Sequence, residues 1–185
     1  MGTGAMAAIL GLDDDKVREA CTEASQGEVV EAVNFNAPAQ VVIAGSKAAV
    51  ERGMAACKAK GAKRALPLPV SAPFHSSLLK PAADRLAERM QSVAFSVPKI
   101  PVVNNVDVAE VNDPEVIKAA LARQACNPVR WVEVIRAIAA RGVTHVGECG
   151  PGKVLAGMTG RIEKSLQGFA LTDPASIAQS MESLK

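Results

Sequence analysis

The sequence predicts an α/β fold, and two observations carry that prediction. The apolar share of its 185 residues is 49%, drawn mostly from Ala, Val and Leu, with few aromatics and no Tyr, a mixture usual where helices pack on a buried sheet. Short β-branched runs also alternate with stretches whose apolar residues recur every three to four positions.

The elements follow in order. Ala5 to Leu12 (AMAAILGL) is a strand-like apolar run, and DDDKVREACTEAS has helical spacing with an acidic first turn that suits the helix dipole. EVVEAVNFN and QVVIAG are two strands separated by the turn-prone Ala37-Pro38-Ala39. KAAVERGMAACKAKG repeats its apolar positions at Val50, Met54 and Cys57, as a helix does. In AKRALPLPV the alternation of Ala65, Pro67 and Pro69 predicts an edge strand, because proline cannot donate to an interior ladder. The order β-α-β-β-α-β is that of a ferredoxin-like unit, expected over residues 1–70.

From residue 71 to 185 the pattern changes, and a second domain is expected. SAPFHSSLL reads as a polar bend leading into a helix, PAADRLAERMQSV, with Pro81 in its first turn and Leu86, Met90 and Val93 on one face. IPVVNNV is a strand candidate, DPEVIKAALARQ a helix capped by Asp113 with Pro114 at its first position, and NPVRWVEVIRAIAARG a helix ending at Gly142. THVGECG reads as a buried strand, GPGKVLAGMTGRIEKSL as a glycine turn and helix, FALT as a short strand, and DPASIAQSMESL as a last capped helix. Three parallel-type strands clothed by five helices would leave an apolar edge and face uncovered. The expectation is therefore that further strands lie upstream of Met1 and that the chain is a piece of a larger protein.

Charge and cysteine usage exclude several classes. The formal charge is +2, with basic residues interleaved among acidic ones, so a nucleic-acid partner is not expected. Cys21, Cys57, Cys126 and Cys149 form no C-x-x-C pair, which argues against a metal centre or disulfide framework and fits free thiols in a reducing cytoplasm. No stretch approaches the roughly 20 apolar residues of a membrane span. The start MGTGAMAAILGL lacks a signal-peptide pattern, so a soluble cytoplasmic protein is expected.

Four features invite chemical readings. His145 lies inside an apolar strand and reads as structural. His75 lies in the bend between the two halves, where an imidazole is well placed for proton transfer near neutral pH, although a plain loop histidine fits as well. Gly147 to Lys153 matches G-x-x-x-x-G-K, yet Val154 stands where a phosphate loop needs a magnesium-holding hydroxyl and Pro151 removes one backbone donor. A tight strand-to-helix turn is the simpler reading there. Lys58, Lys60, Lys63 and Arg64 sit at a helix C-terminus, where they suit the dipole or steer an acidic protein partner.

Six blocks, GAMAAILGL, AVNFNAPAQVVIAG, AKRALPLPVSAPFHSSLLKPAA, IPVVNNVD, RQACNPVRW and GECGPGKVLAGM, resemble successive segments of malonyl-CoA:acyl-carrier-protein transacylases in order and spacing. The resemblance spans nearly the whole chain. It implies a ferredoxin-like small subdomain inserted into an α/β-hydrolase-like large one, residues 71–185 being the C-terminal part of the latter. It implies transfer of malonyl from malonyl-CoA to the phosphopantetheine thiol of acyl carrier protein, in fatty acid synthesis, through a serine-linked intermediate and without a cofactor.

By the same resemblance His75 in PFHSSL is the catalytic histidine, and Gln124 in RQACNP supplies the backbone carbonyl that orients it. Asn34 and Asn36 match a loop facing the cleft and would touch substrate, and Lys58, Lys63 and Arg64 would dock the carrier. Phe74 resembles the malonyl-type acyltransferase domains of polyketide synthases and implies malonyl over methylmalonyl. Three family features do not occur here: the G-H-S-x-G elbow, the G-Q-G-x-Q motif and the carboxylate-binding arginine, all of which belong upstream. They make the missing N-terminal part an expected partner, and the chain alone is expected to be inactive. Ala39 stands where the family's NFN-x-P-G-Q has glycine. A non-catalytic module that binds carrier protein or coenzyme A, and nucleotide binding at Gly147 to Lys153, are the alternatives.

Overall fold

The computed structural model describes residues 4–70 and 72–184, so Ser71, the first residue of the predicted bend, lies outside the described residues. The chain forms two compact units, Met1–Trp131 and Val132–Lys185. The first is wider than the segment whose pattern ends at Val70.

In the first unit β1 (Gly4–Leu10), α1 (Asp14–Ser25), β2 (Val30–Ala37), β3 (Gln40–Ser46), α2 (Lys47–Ala59) and β4 (Arg64–Pro67) succeed one another as the periodicities predict. The sheet has the order β2-β3-β1-β4, every neighbouring pair antiparallel. β4, which ends on Pro67, is an edge, where a missing donor is tolerated. Asp13 caps α1 by accepting from the amide of Asp15 at 3.0 Å. Val17, Ala20, Cys21 and Ala24 of α1 meet Ala49, Val50 and Cys57 of α2, and together they cover Ala7, Ile9, Val41 and Ile43 of the sheet.

One irregularity decides which way β2 points its side chains. Ala32 pairs with Ile43 but Asn34 pairs with Val42, so Val33 is an extra residue that shifts the strand's parity. Val33 thereby joins Met6, Val42 and Ala44 in a small second cluster built from strand residues and Leu68. Phe35 turns back into the core under α1 and α2. Asn34, paired with Val42, shares the face of that second cluster.

Beyond the sheet, α3 (Lys80–Gln91) and α4 (Pro114–Ala125) form where predicted, with Pro81 and Pro114 in their first turns. Asp113 caps α4, accepting from Glu115 at 2.9 Å and Val116 at 3.0 Å. The predicted strand IPVVNNV is absent, a correction with a local cause. Asn104 accepts from the amide of Asp107 at 2.7 Å and donates to the carbonyl of Ala109 at 2.9 Å, which curls the chain into a turn. Val103 keeps only an isolated bridge to Glu110, and Ile100 and Val102 stay exposed.

The second unit holds α5 (Trp131–Ala139, whose first residue belongs to the first unit), β5 (His145–Cys149), α6 (Val154–Ile162), β6 (Gln167–Leu171) and α7 (Pro174–Ser183). β5 and β6 pair in parallel across α6, and a side chain at Gly168 would collide with the carbonyl of Ala156, so the glycine lets helix and strand approach. β5, which the sequence predicts to be buried, is half-exposed along its length, because β6 is its one neighbour among the described residues. Asp173 and Ser176 form a reciprocal capping box on α7. No helix of the described residues is long and apolar enough to cross a membrane.

Candidate active site

The bend that carries His75 is pinned at one end of the sheet. A side chain on Gly4, the first described residue of β1, would strike the ring of Pro73, so the chain passes close against that strand. Ser76, fully buried, donates its hydroxyl to the carbonyl of Pro73 at 2.6 Å. Ser77 donates both its amide and its hydroxyl to the carboxylate of Glu31 on β2, at 2.8 Å and 2.7 Å. Between these anchors His75 takes a left-handed backbone, φ +63°, which an L-residue adopts at a cost on the order of 1 kcal/mol.

The half-buried imidazole places Nδ1 2.9 Å from the backbone oxygen of Gln124. Gln124 lies in the last turn of α4, where carbonyls have no partner within the helix and remain free to accept. A carbonyl carries no hydrogen, so Nδ1 must donate, and the neutral ring presents the lone pair of Nε2. The structure therefore brings together the two residues singled out at opposite ends of an interval of 49 positions. The side-chain nitrogen and oxygen of Gln124 are buried without hydrogen-bond partners, so in this chain its backbone does the orienting.

The same strand that receives Ser77 also receives the chain that follows α4. Phe35 donates its amide to Val129 at 2.9 Å, and Val129 donates to Val33 at 2.8 Å, closing the outer edge of β2. Asn34 and Asn36 lie half-buried on this strand. Neither Glu31 nor Ser77 was singled out from sequence. The one available signal was an acidic residue interrupting the apolar run VVEAV.

The other residues singled out from sequence lie in distinct surroundings. His145 stacks on Phe169, ring centroids 5.4 Å apart and planes within 4°, a packing role. At the start of α6 the carboxylate of Glu148 accepts the amide of Ala156 at 2.8 Å, so an acid already occupies the place where a phosphate would bind. Lys60 pairs with Glu23 at 2.8 Å and Glu19 at 3.3 Å, and the hydrogen bond it donates to Glu23 is the main cause that raises its pKa. Lys58, Lys63 and Arg64 are exposed. No cluster of three or more His, Cys, Asp or Glu side chains suited to a metal occurs among the described residues.

Comparison with known proteins bears directly on this geometry. The profile described as "Acyl transferase domain" matches residues 1–172. The chain belongs to the acyl transferase domain family. It is 56% identical over 181 residues to the malonyl CoA-acyl carrier protein transacylase of Escherichia coli strain K12, covering 98% of this chain and 59% of that protein. A crystal structure of an acyl-carrier-protein S-malonyltransferase from Burkholderia pseudomallei 1710b superposes with a TM-score of 0.95 at 65% identity, covering 98% of this chain and 59% of that one. A malonyl-transacylase solved in complex with its type II PKS acyl-carrier protein superposes with a TM-score of 0.96 at 53% identity, covering 98% and 59%. The chain thus spans about three-fifths of the length of these relatives.

Proposed function

We propose that this acyl transferase domain chain carries the general-base half of a site that moves malonyl from malonyl-CoA to the phosphopantetheine thiol of acyl carrier protein. The observation that carries the reading is the 2.9 Å bond from His75 Nδ1 to the Gln124 carbonyl, which leaves Nε2 free to accept a proton. The relatives named for malonyl transfer, and the one solved with its carrier protein, support the choice of substrates.

In this mechanism His75 Nε2 takes the proton of a serine hydroxyl as its oxygen attacks the malonyl thioester carbonyl. The tetrahedral intermediate collapses, the bond to sulfur breaks, and the imidazolium returns the proton to the departing thiolate of coenzyme A. In the second half His75 takes the proton of the carrier's thiol, whose sulfur attacks the malonyl-serine ester, and gives it back to the serine oxygen. The Gln124 carbonyl keeps the ring oriented through both proton transfers. None of the serines present lies in G-x-S-x-G, so we assign the nucleophile to sequence outside these 185 residues, and the chain alone is inactive in this reading.

Three finer assignments belong with this reading. The antiparallel order β2-β3-β1-β4 fits a ferredoxin-like small subdomain over residues 1–70, with 71–185 as the C-terminal part of an α/β-hydrolase-like large one. Asn34 and Asn36 are assigned to substrate, and Lys58, Lys63 and Arg64 to carrier docking. A cytoplasmic location fits the four free thiols.

The test is malonyl transfer to carrier protein by three samples: this chain, the chain completed with an upstream segment containing G-H-S-x-G, and the completed form with His75→Ala. The reading expects activity in the second alone. Activity in the first, or full activity in the third, would overturn it. A completed form that binds carrier or coenzyme A without transferring malonyl would establish the non-catalytic module instead.

A further inference from the structure

We infer that Glu31 is a positioning residue for His75, acting through Ser77, and that β2 serves as the common rail on which the base and its orienting carbonyl are both mounted. The inference rests on the acyl-transfer reading for the use made of the ring, but its geometry stands apart from that chemistry.

His75 belongs to a bend with no ladder of its own, followed by a short turn at Ser77–Leu79, and its left-handed backbone is a conformation that persists only where surrounding contacts impose it. Of those contacts, the hydroxyl of Ser76 reaches only as far as Pro73, within the same bend. Among the described residues, the pair of hydrogen bonds from Ser77 to Glu31, 2.8 Å and 2.7 Å, is the hydrogen-bonded link from this bend to the sheet, across 46 positions of sequence. Each carboxylate oxygen takes one donor, the amide on Oε2 and the hydroxyl on Oε1, and two bonds to a charged planar acceptor fix orientation as well as position.

Further along, the same strand holds the segment that follows the orienting carbonyl. Val129 follows closely after Gln124, and its amide and carbonyl are both bonded to β2, at Val33 and Phe35. The distance between His75 Nδ1 and Gln124 O is therefore set by two attachments to one strand, Glu31 on one side and Val129 on the other. The clash that a side chain at Gly4 would make with Pro73 shows that the bend is also pressed on β1, but that contact is apolar and fixes no donor direction.

The experiment reads the ring itself, in the full 185-residue chain, without substrate. His75 and His145 are its two histidines, so ring nitrogen and carbon resonances are assigned by comparison with a His145→Gln chain. At a pH where the ring is neutral, the parent should show His75 fixed as the Nδ1–H tautomer with that proton protected from exchange. Glu31→Ala should lose the protected proton and move the ring shifts to those of an unconstrained imidazole, while His145 keeps its signals.

Glu31→Gln should retain the Nδ1–H form, because an amide oxygen accepts from the Ser77 amide and an amide nitrogen donates to the Ser77 hydroxyl. Ser77→Ala, which keeps one of the two bonds, should fall between. Parent-like His75 signals in Glu31→Ala, or the same loss in Glu31→Gln as in Glu31→Ala, overturn the inference. Should Glu31→Ala fail to fold, the other two variants decide: retention in Glu31→Gln with partial loss in Ser77→Ala supports it, and any equal response of the two overturns it. A failed transfer assay leaves this result standing, and an unchanged ring spectrum leaves the transfer reading standing.

Discussion

Replacing Ala39 with glycine should stabilise the protein, and the size of the gain follows from one dihedral angle. Ala39 closes the Pro38-Ala39 turn between β2 and β3 with φ +57°, while proline holds its own φ near −65°. Those two signs are the signature of a turn whose second central position favours glycine. The conformation is not free to relax, because the Ala39 carbonyl accepts the amide of Gly11 at 2.8 Å. An L-residue there costs roughly 1–2 kcal/mol. Glycine removes that cost but adds unfolded-state freedom worth about 0.5–1 kcal/mol, so the net gain is about 0.5–1 kcal/mol. For a chain of this size about 1 kcal/mol corresponds to roughly 2–4 °C in Tm.

The assay is a thermal melt, joined to amide exchange at Val41 and Val42, since two compact units need not melt together. Gly11→Ala is the opposing control: at φ +76°, with the Lys63 side chain against the new methyl, it should lower stability. A Tm for Ala39→Gly that is unchanged or lower, with no gain in protection at β3, would refute the reasoning.

Other outcomes are expected from the same structure. In the protein completed with its nucleophile, His75→Ala should reduce malonyl transfer by on the order of 10⁴ to 10⁶, as loss of a triad member does, measured by single-turnover transfer to carrier protein. Joint replacement of Lys58, Lys63 and Arg64 by Ala in that protein should slow association with an acidic carrier and flatten its salt dependence; unchanged rates would make the cluster a solvated helix end. Burial pushes the Cys21 thiol up to about 12, with Cys57 and Glu31 adding to the rise, and pushes Cys57 up to about 11, whereas Cys149 is exposed and Cys126 half-buried. A thiol reagent at mildly alkaline pH should therefore modify two cysteines quickly and all four only after unfolding. Both folded values lie above the ordinary 9.0, so this contribution is intact below pH 9 and is lost as pH rises toward 11 and 12, where unfolded thiols ionise first.

The order of elements was legible in the sequence because periods of two and of three to four are local properties of a chain packing one face. Asp113 and Pro114 marked the start of α4 for an equally local reason, a side chain reaching amides two and three residues on. The same locality explains the miss at IPVVNNV, where a short apolar run satisfied the strand pattern but the turn chemistry of Asn104 prevailed. His75 stood out as a histidine in a polar bend, and its pairing with Gln124 entered through family resemblance, since nothing in composition links residues 49 positions apart.

What tertiary structure alone decided is how remote segments meet. The sheet order β2-β3-β1-β4, the extra residue at Val33 that turns Phe35 inward, and the attachment of Ser77 to Glu31 are all pairings between distant positions. Sequence by itself determined which stretches become strands and helices, IPVVNNV excepted, and where α4 and α7 are capped, because those preferences act within a few residues. It could not determine that one carboxylate on β2 would hold the bend of His75 while Val129 held the end of α4 to the same strand. Contacts of that kind form only once burial of the core has brought the chain together, when hydrogen bonds between far segments no longer bear alone the entropy of closing the loops between them.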